Sequence, residues 1–403
     1  MAIPFVKPDI RPEDVEAVVE VLTSGWITTG PKTKQFEREL SEYYGTSKTA
    51  TMSSQTMAAE MTLHLLGIGP GDEVIVPAYT YSASCSIICH VGATPVLIDS
   101  KPGSFEMDTE LLAAAITERT KAIIPVDYAG MIVDYAKYFE IVEAKKHLFT
   151  ASDNKIQQAL GRVAILADTA HSLGARKDGV YAGAIADFSN FSFHAVKNLT
   201  TSEGGAVTWR TIPGIDDEDI YKQFMLLSLH GQNKDALAKT KSGAWEYDIV
   251  APYYKCNLMD ITAALGLSQL RRYEEMLDIR HHVIETYQRE FSGTKIRIMP
   301  HTTENMRSSA HLAVAHIDGA DEKIRNRFIE LMGEREISCN VHYKPLPMLT
   351  AYKNLGFDIK DFPNAYNFYH NHLTLPLYSQ MTDEEVAEVC SAAKEVLREL
   401  GLD

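Results

Sequence analysis

Short apolar runs, too continuous to alternate between two faces, recur along the first half of this chain. Residues 73–77 (EVIVP), 95–98 (PVLI), 121–126 (KAIIPV) and 163–167 (VAILA) carry the pattern. A strand that is apolar on both sides must be covered on both sides, which predicts an α/β fold on a mostly parallel sheet. The segments between the runs supply the covering helices. Arg11-Pro12-Glu13-Asp14 opens one of them with proline and acids in its first turn, and Gly25 closes it. Others are expected over 34–44, 55–67, 82–90 and 133–147, and Asp108 caps one more.

The rhythm changes after Gly205. Residues 260–291 place apolar side chains at helical spacing and read as one long helix, of a kind that links two units or builds a subunit interface. Further on, strands at 311–316 and 338–343 alternate with helices at 322–334 and 383–400. The expected organisation is a large N-terminal domain over 1–258, a linking helix over 259–291 and a small C-terminal α/β domain over 292–403. Residues 149–162 (FTASDNKIQQALGR) stand outside the rhythm, as an insertion that either shapes the mouth of a site or lies on the surface.

Charge and cysteine usage narrow the function classes. The 39 basic and 54 acidic residues leave a net charge of −15, and no basic stripe is present to meet a nucleic acid. Cys85, Cys89, Cys256, Cys339 and Cys390 are scattered, with no metal-binding spacing, and the first two read as helix packing. No stretch is long and apolar enough to span a bilayer, and the first residues lack the apolar core of a signal peptide. These features predict a cytoplasmic protein without metal, membrane or nucleic-acid partner.

Residues 188–207, FSNFSFHAVKNLTTSEGGAV, concentrate the chemistry. Lys197 stands between a short strand and a Glu-Gly-Gly turn. There an ammonium drawn toward the interior loses charge more easily, and its neutral amine can form a Schiff base with an aldehyde. A loop lysine is ordinarily a solvated one; its company argues otherwise here. Asp168 ends the run VAILAD at the carboxyl edge of the predicted sheet, where open α/β folds place ligands. A carboxylate there either caps the next turn or keeps a heteroaromatic nitrogen protonated, as pyridoxal phosphate requires. His171 follows three residues later and would lie against the same ring. Ser53-Ser54-Gln55-Thr56-Met57-Ala58 opens a helix whose free N–H groups suit a phosphate, with the Thr56 hydroxyl beside them. Ser192 is a second phosphate donor, and Tyr81 an aromatic able to stack on a flat cofactor.

Together these residues resemble the aspartate-aminotransferase fold type I, and within it the DegT/DnrJ/EryC1/StrS family of nucleotide-sugar aminotransferases. The matching blocks are Gly25-Trp26-Ile27-Thr28-Thr29-Gly30-Pro31, Gly71 to Pro77, Asp168-Thr169-Ala170-His171-Ser172, Ser192 to Lys197, Glu203-Gly204-Gly205 and Leu375-Pro376-Leu377. The Lys197 block resembles the branch that makes UDP-4-amino-4-deoxy-L-arabinose. The resemblance implies a PLP-binding large domain with Lys197 as the Schiff-base lysine and Asp168 on the pyridine nitrogen. It places His171 near the phenolic oxygen, Tyr81 on the ring, and Thr56, the Met57 backbone and Ser192 on the phosphate. Asn257 would reach the phosphate from a neighbouring subunit, making a homodimer with shared sites, while Thr28, His342 and Tyr343 would face the substrate. Gln55, Met57, His171 and Pro347 depart from the residues commoner in the family.

The activity implied is ping-pong transfer of the amino group of L-glutamate to a nucleotide-linked keto sugar. Non-transaminating relatives (a sugar dehydratase, a lyase or a cofactor-binding regulator) are the alternatives. The dehydratases carry histidine where Lys197 stands, and His194 does not occupy that position.

Overall fold

The computed structural model describes residues 2–234 and 246–402. Its strands begin with β1 (Thr49–Met52), β2 (Glu73–Pro77), β3 (Thr94–Ile98), β4 (Thr120–Ile123), β5 (Ala164–Asp168), β6 (Arg176–Lys177) and β7 (Val180–Tyr181). They continue with β8 (Phe188–Ser192), β9 (Gly205–Trp209), β10 (Ile296–Ile298), β11 (Met306–Arg307), β12 (Ala313–Ile317) and β13 (His372–Leu375). Seven form one sheet in the order β1-β9-β8-β5-β4-β2-β3. The pairs from β3 through β8 are parallel, and β9 runs antiparallel to both β8 and β1. Every residue of β2, β5 and β9 is buried, as strands covered on both faces require. The carboxyl ends of β2, β4, β5 and β8 share one edge, so the segments after them meet there: Tyr79–Tyr81, Asp127–Gly130, Asp168–His171 and Ser192–Lys197.

Four helices open the chain: α1 (Pro12–Ser24), α2 (Pro31–Tyr44), α3 (Gln55–Leu65) and α4 (Ala83–His90). α3 is set by its two ends. Ser54 caps its start, accepting the Met57 N–H at 3.1 Å, and that first turn lies directly over Gly205. A Cβ at Gly205 would overlap the backbone of Ser54 and Gln55, so glycine is what lets the helix start reach the sheet edge. At the other end, Asn154 Nδ2 and Gln157 Nε2 donate to the carbonyls of Leu65 (2.8 Å) and Leu66 (2.6 Å). Those two side chains belong to the 149–162 insertion, which forms the helix Lys155–Leu160 ahead of the amino end of β5. The insertion therefore serves the far end of α3, on the opposite edge of the sheet from Asp168, and does not shape the mouth of a site.

The helix expected over 259–291 is two helices, Asp260–Leu270 and Tyr273–Glu290. The break falls at Arg271 and Arg272. The Arg272 guanidinium turns toward the fully buried Asp14, meeting its two oxygens at 2.7 and 2.6 Å, and also donates to the Asp9 carbonyl at 2.9 Å. A buried carboxylate left alone is costly, and this pairing outweighs one more turn of helix.

A second apolar cluster gathers Val283, Tyr287, Phe328, Leu331, Leu373 and Val396 around a small antiparallel sheet, β10-β12-β13. Residue Ile3 joins it through a parallel bridge to Ile337. The strand expected at 338–343 is instead a loop with a single bridge, Asn340 to Thr374. Its outer part leaves the sheet because the His342 carbonyl is drawn away by Tyr79 Oη (2.6 Å) and Tyr128 Oη. Cys85 packs in the core as expected, while Cys89 is exposed.

Because Gly205 is a contact point rather than a hinge, Gly205→Ala should cost about 1–3 kcal/mol through overpacking. Urea unfolding would measure it; an unchanged midpoint would show that the start of α3 can move aside freely.

Candidate active site

Lys197 is positioned by a loop with little freedom. Thr201 N–H and Thr200 Oγ1 both donate to the Phe193 carbonyl (2.9 and 3.0 Å), and Thr200 N–H is held by Gln269 Oε1 at 2.9 Å. Leu199, two residues on, is fully buried. The Lys197 side chain is partly buried, and burial pushes its pKa down to about 8 against the opposing pull of the Asp168 carboxylate. At pH 7 about a tenth of the amine is then neutral, against roughly 0.03% at the ordinary lysine value.

Asp168, 6% exposed at the end of β5, accepts Ser84 Oγ at 2.6 Å and Ala170 N–H at 3.1 Å. Burial raises its pKa, while those two donors and the Lys197 ammonium lower it. It is a carboxylate that a cationic partner would readily keep ionised. His171 sits on the same turn and is held neutral, first by burial and then by Lys197 and His342. Its Nδ1 accepts the Ala129 N–H at 3.2 Å, and its Nε2 lies 3.1 Å from Tyr343 Oη. An acceptor Nδ1 leaves the proton on Nε2, so His171 donates to Tyr343. The Tyr343 ring in turn lies 5.3 Å from that of Tyr81.

The start of α3 completes the cluster. Ser192 pairs with Gly205 in register, and Gly205 lies against Ser54 and Gln55, so the Ser192 hydroxyl and the first turn of α3 converge. The expected contribution of the Met57 backbone is changed: its N–H is spent on Ser54 Oγ, and the Gln55 and Thr56 N–H groups are the ones at the helix mouth. Thr56 itself stands in that first turn.

The structure thus brings Lys197, Asp168, His171, Tyr81, Ser192, Thr56, His342 and Tyr343 to one edge of the sheet. Thr28 and Asn257 are not among them within a single chain. Thr28 is exposed, and the Asn257 amide donates to Thr29 Oγ1 at 2.6 Å, along a separate cavity of about 340 Å³. His194 points outward, paired with Glu203 at 3.5 Å. Ser84, Asn198, His311, Tyr79 and Tyr128 escape sequence reasoning. Each is an ordinary core or helix residue by type, and only packing aims it at the site. Among the described residues no cluster of His, Cys, Asp and Glu is placed to hold a metal.

A sequence model of the DegT/DnrJ/EryC1/StrS aminotransferase family matches residues 8–394. The spore coat polysaccharide biosynthesis protein SpsC of Bacillus subtilis is 36% identical over 401 residues, covering 98% of this chain and 97% of its own. Spr1654 of Streptococcus pneumoniae, in its PMP form, superposes with a TM-score of 0.96 at 53% identity, covering 99% of this chain and 100% of its own. The same protein in its PLP form gives 0.95 at 52% identity, with the same coverage. Helicobacter pylori PseC, an aminotransferase involved in pseudoaminic acid biosynthesis, gives 0.86 at 28% identity, covering 99% and 100%. The large sheet with its smaller antiparallel partner is the fold type I arrangement.

The electrostatics can be checked directly. In the cofactor-free protein, acylation of Lys197 followed by mass spectrometry should titrate with a midpoint near pH 8. Asp168→Asn removes the group that holds the ammonium up, so its midpoint should fall; a rise would contradict the assignment.

Proposed function

Because the chain belongs to the DegT/DnrJ/EryC1/StrS aminotransferase family, we propose that it transfers the amino group of L-glutamate to a keto sugar carried on a nucleotide, using pyridoxal 5'-phosphate held at Lys197. The enzyme is a transaminase. The observation that carries the reading is the placement of a lysine with a lowered pKa opposite a buried, cation-seeking carboxylate, beside an open helix start.

The residues fit that cofactor. Asp168 offers an acceptor to a protonated ring nitrogen at the depth where an unpaired carboxylate is costly. Gly205 clears the space in which the start of α3 presents its N–H groups, and the hydroxyls of Thr56 and Ser192 supplement them around a phosphate. Tyr81, 59% exposed in this chain, offers a ring face to cover the cofactor. His171, neutral and with both ring nitrogens engaged, can pack its ring against the cofactor's oxygen side without adding charge. When bound, pyridoxal phosphate supplies the electron-withdrawing ring that acidifies the C–H of an amine attached to it. The task left to Lys197 is to act at one atom, Nζ, first as the nucleophile toward the cofactor's aldehyde and then as the base that holds and returns a proton.

The sugar reading is supported by relatives that serve polysaccharide and pseudoaminic acid biosynthesis. The nucleotide is our extension of it, with His342, Tyr343 and Thr28 on the sugar side. In this division of labour residues 1–258 hold the cofactor, 292–403 close the sugar side, and the helical pair within 259–291 joins them. A homodimer completes the site. On α1, Val15, Val19 and Leu22 form an exposed apolar stripe, and Tyr253, Tyr254 and Met259 are exposed next to Asn257. A second copy would cover these surfaces and receive Asn257 at its own phosphate. No helix among the described residues is long and apolar enough to cross a membrane, and we place the enzyme in the cytoplasm.

Purified protein loaded with pyridoxal phosphate should show a yellow absorption band that L-glutamate bleaches and a keto-sugar nucleotide restores. Lys197→Ala should lose roughly a thousandfold or more of turnover. A band indifferent to every amino donor would remove the transaminase reading.

A further inference from the structure

Beside Lys197, toward the small sheet, lies a cavity of about 110 Å³. Its walls are largely apolar, with Phe5, Leu312 and Leu377 among them, and its polar edge includes His311 and Tyr343. Lys197, Asn340 and His342 also line it, and for His311 and Tyr343 the donor and acceptor roles follow from their other partners.

Tyr343 Oη accepts the His171 Nε2 proton at 3.1 Å, so its own hydroxyl hydrogen remains to be donated. His311 has the opposite tautomer. Asn198 Nδ2 donates to the Ser309 carbonyl at 2.7 Å, which turns its Oδ1 toward His311 Nδ1 at 2.8 Å. Nδ1 must therefore carry the proton, and Nε2 is a bare lone pair. That nitrogen has no hydrogen-bond partner among the described residues, on a side chain only 5% exposed. The two imidazole rings stand 4.4 Å apart, and both are kept neutral by burial, with the Lys197 ammonium adding to it.

The loop that presents His311 is tightly held. Arg280, buried and with no carboxylate partner among the described residues, donates to the carbonyls of Ala310 (2.9 Å) and His311 (2.6 Å). Ser309 N–H and His311 N–H bond to the carbonyls of Gly130 (3.1 Å) and Ala129 (3.2 Å). A positive charge behind the ring further disfavours its protonation. The Nε2 lone pair is thus a rigid acceptor, on a residue that lines the same small cavity as the Tyr343 donor.

One acceptor and one donor on the lining of a single cavity are the complement of a hydroxyl group. We propose that His311 Nε2 and the Tyr343 hydroxyl together read one hydroxyl of the keto sugar, which makes His311 a specificity-determining residue. The assignment rests on the sugar-aminotransferase reading above. A substrate lacking that hydroxyl would leave both buried groups without the partner it supplied.

Two measurements test it. Nitrogen-15 spectra of histidine-labelled enzyme should show His311 as a neutral Nδ1–H tautomer at neutral pH; an Nε2–H tautomer or an imidazolium would overturn the proposal whatever the enzyme's substrate. The second uses whichever keto-sugar nucleotide the wild type aminates and its analogue lacking the hydroxyl on the carbon beside the ketone. His311→Phe should raise KM for the hydroxylated sugar roughly tenfold, with kcat changed much less, and erase discrimination against the analogue. His311→Gln, which keeps an acceptor, should recover part of that discrimination and serves also if the Phe variant folds poorly. Equal losses in the glutamate and sugar half-reactions would reduce His311 to a packing role. If the wild type aminates no keto-sugar nucleotide at all, the functional reading fails, and the tautomer still decides the acceptor.

Discussion

A carboxylate buried at the end of a strand is unfavourable unless something answers its charge, and Asp168 is answered only in part by its own chain. Ser84 Oγ and one backbone N–H satisfy two lone pairs, and the nearby Lys197 supplies the cationic contribution. The same electrostatics act on Lys197, which burial would strip of its proton and Asp168 partly restores. Each group is held short of its ordinary behaviour, and a protonated heteroaromatic ring is what would settle Asp168. The remaining features of the site keep this pair in place and bring the open start of α3 beside it.

The smaller sheet contributes by hydrogen bonds to backbone carbonyls rather than by charge. The His342 carbonyl collects donors from Tyr79, after β2, and Tyr128, after β4. One residue further, the Tyr343 N–H returns a bond to Tyr79 Oη at 2.9 Å. The 308–311 loop is tied to Gly130 and to the His171 carbonyl, and Gly130, at φ +90°, has no room for a Cβ against Ser309. Tyrosine hydroxyls and glycine backbone set the distance between the two halves of the site, with no exposed ion pair needed for it.

Much of the fold was legible. Continuous apolar runs announced β2 to β5, and Ser54, Asp108 and Gly25 marked helix ends where the structure has them. The failures share a cause. The helix over 259–291 has unbroken periodicity, but Arg272 breaks it to reach Asp14, some 258 residues earlier in the chain. The segment 338–343 has strand propensity, but its carbonyls are claimed by tyrosines from elsewhere. The insertion at 149–162 had two open readings because its partners are the last carbonyls of α3, and nothing local names them.

The residues proposed to carry the chemistry could be singled out from local sequence. A lysine before a Gly-Gly turn, an aspartate ending a buried strand and a serine opening a helix each stand out by neighbours within a few positions. Backbone geometry is short-ranged, so sequence carries that much. The tertiary structure alone decided the rest: that Met57 N–H is spent on Ser54 Oγ, that the Asn257 amide goes to Thr29 Oγ1, and that His171 and His311 hold opposite tautomers. A tautomer depends on which atom lies opposite each ring nitrogen. For His311 that atom belongs to Asn198, 113 residues away, and only the folded chain brings it there.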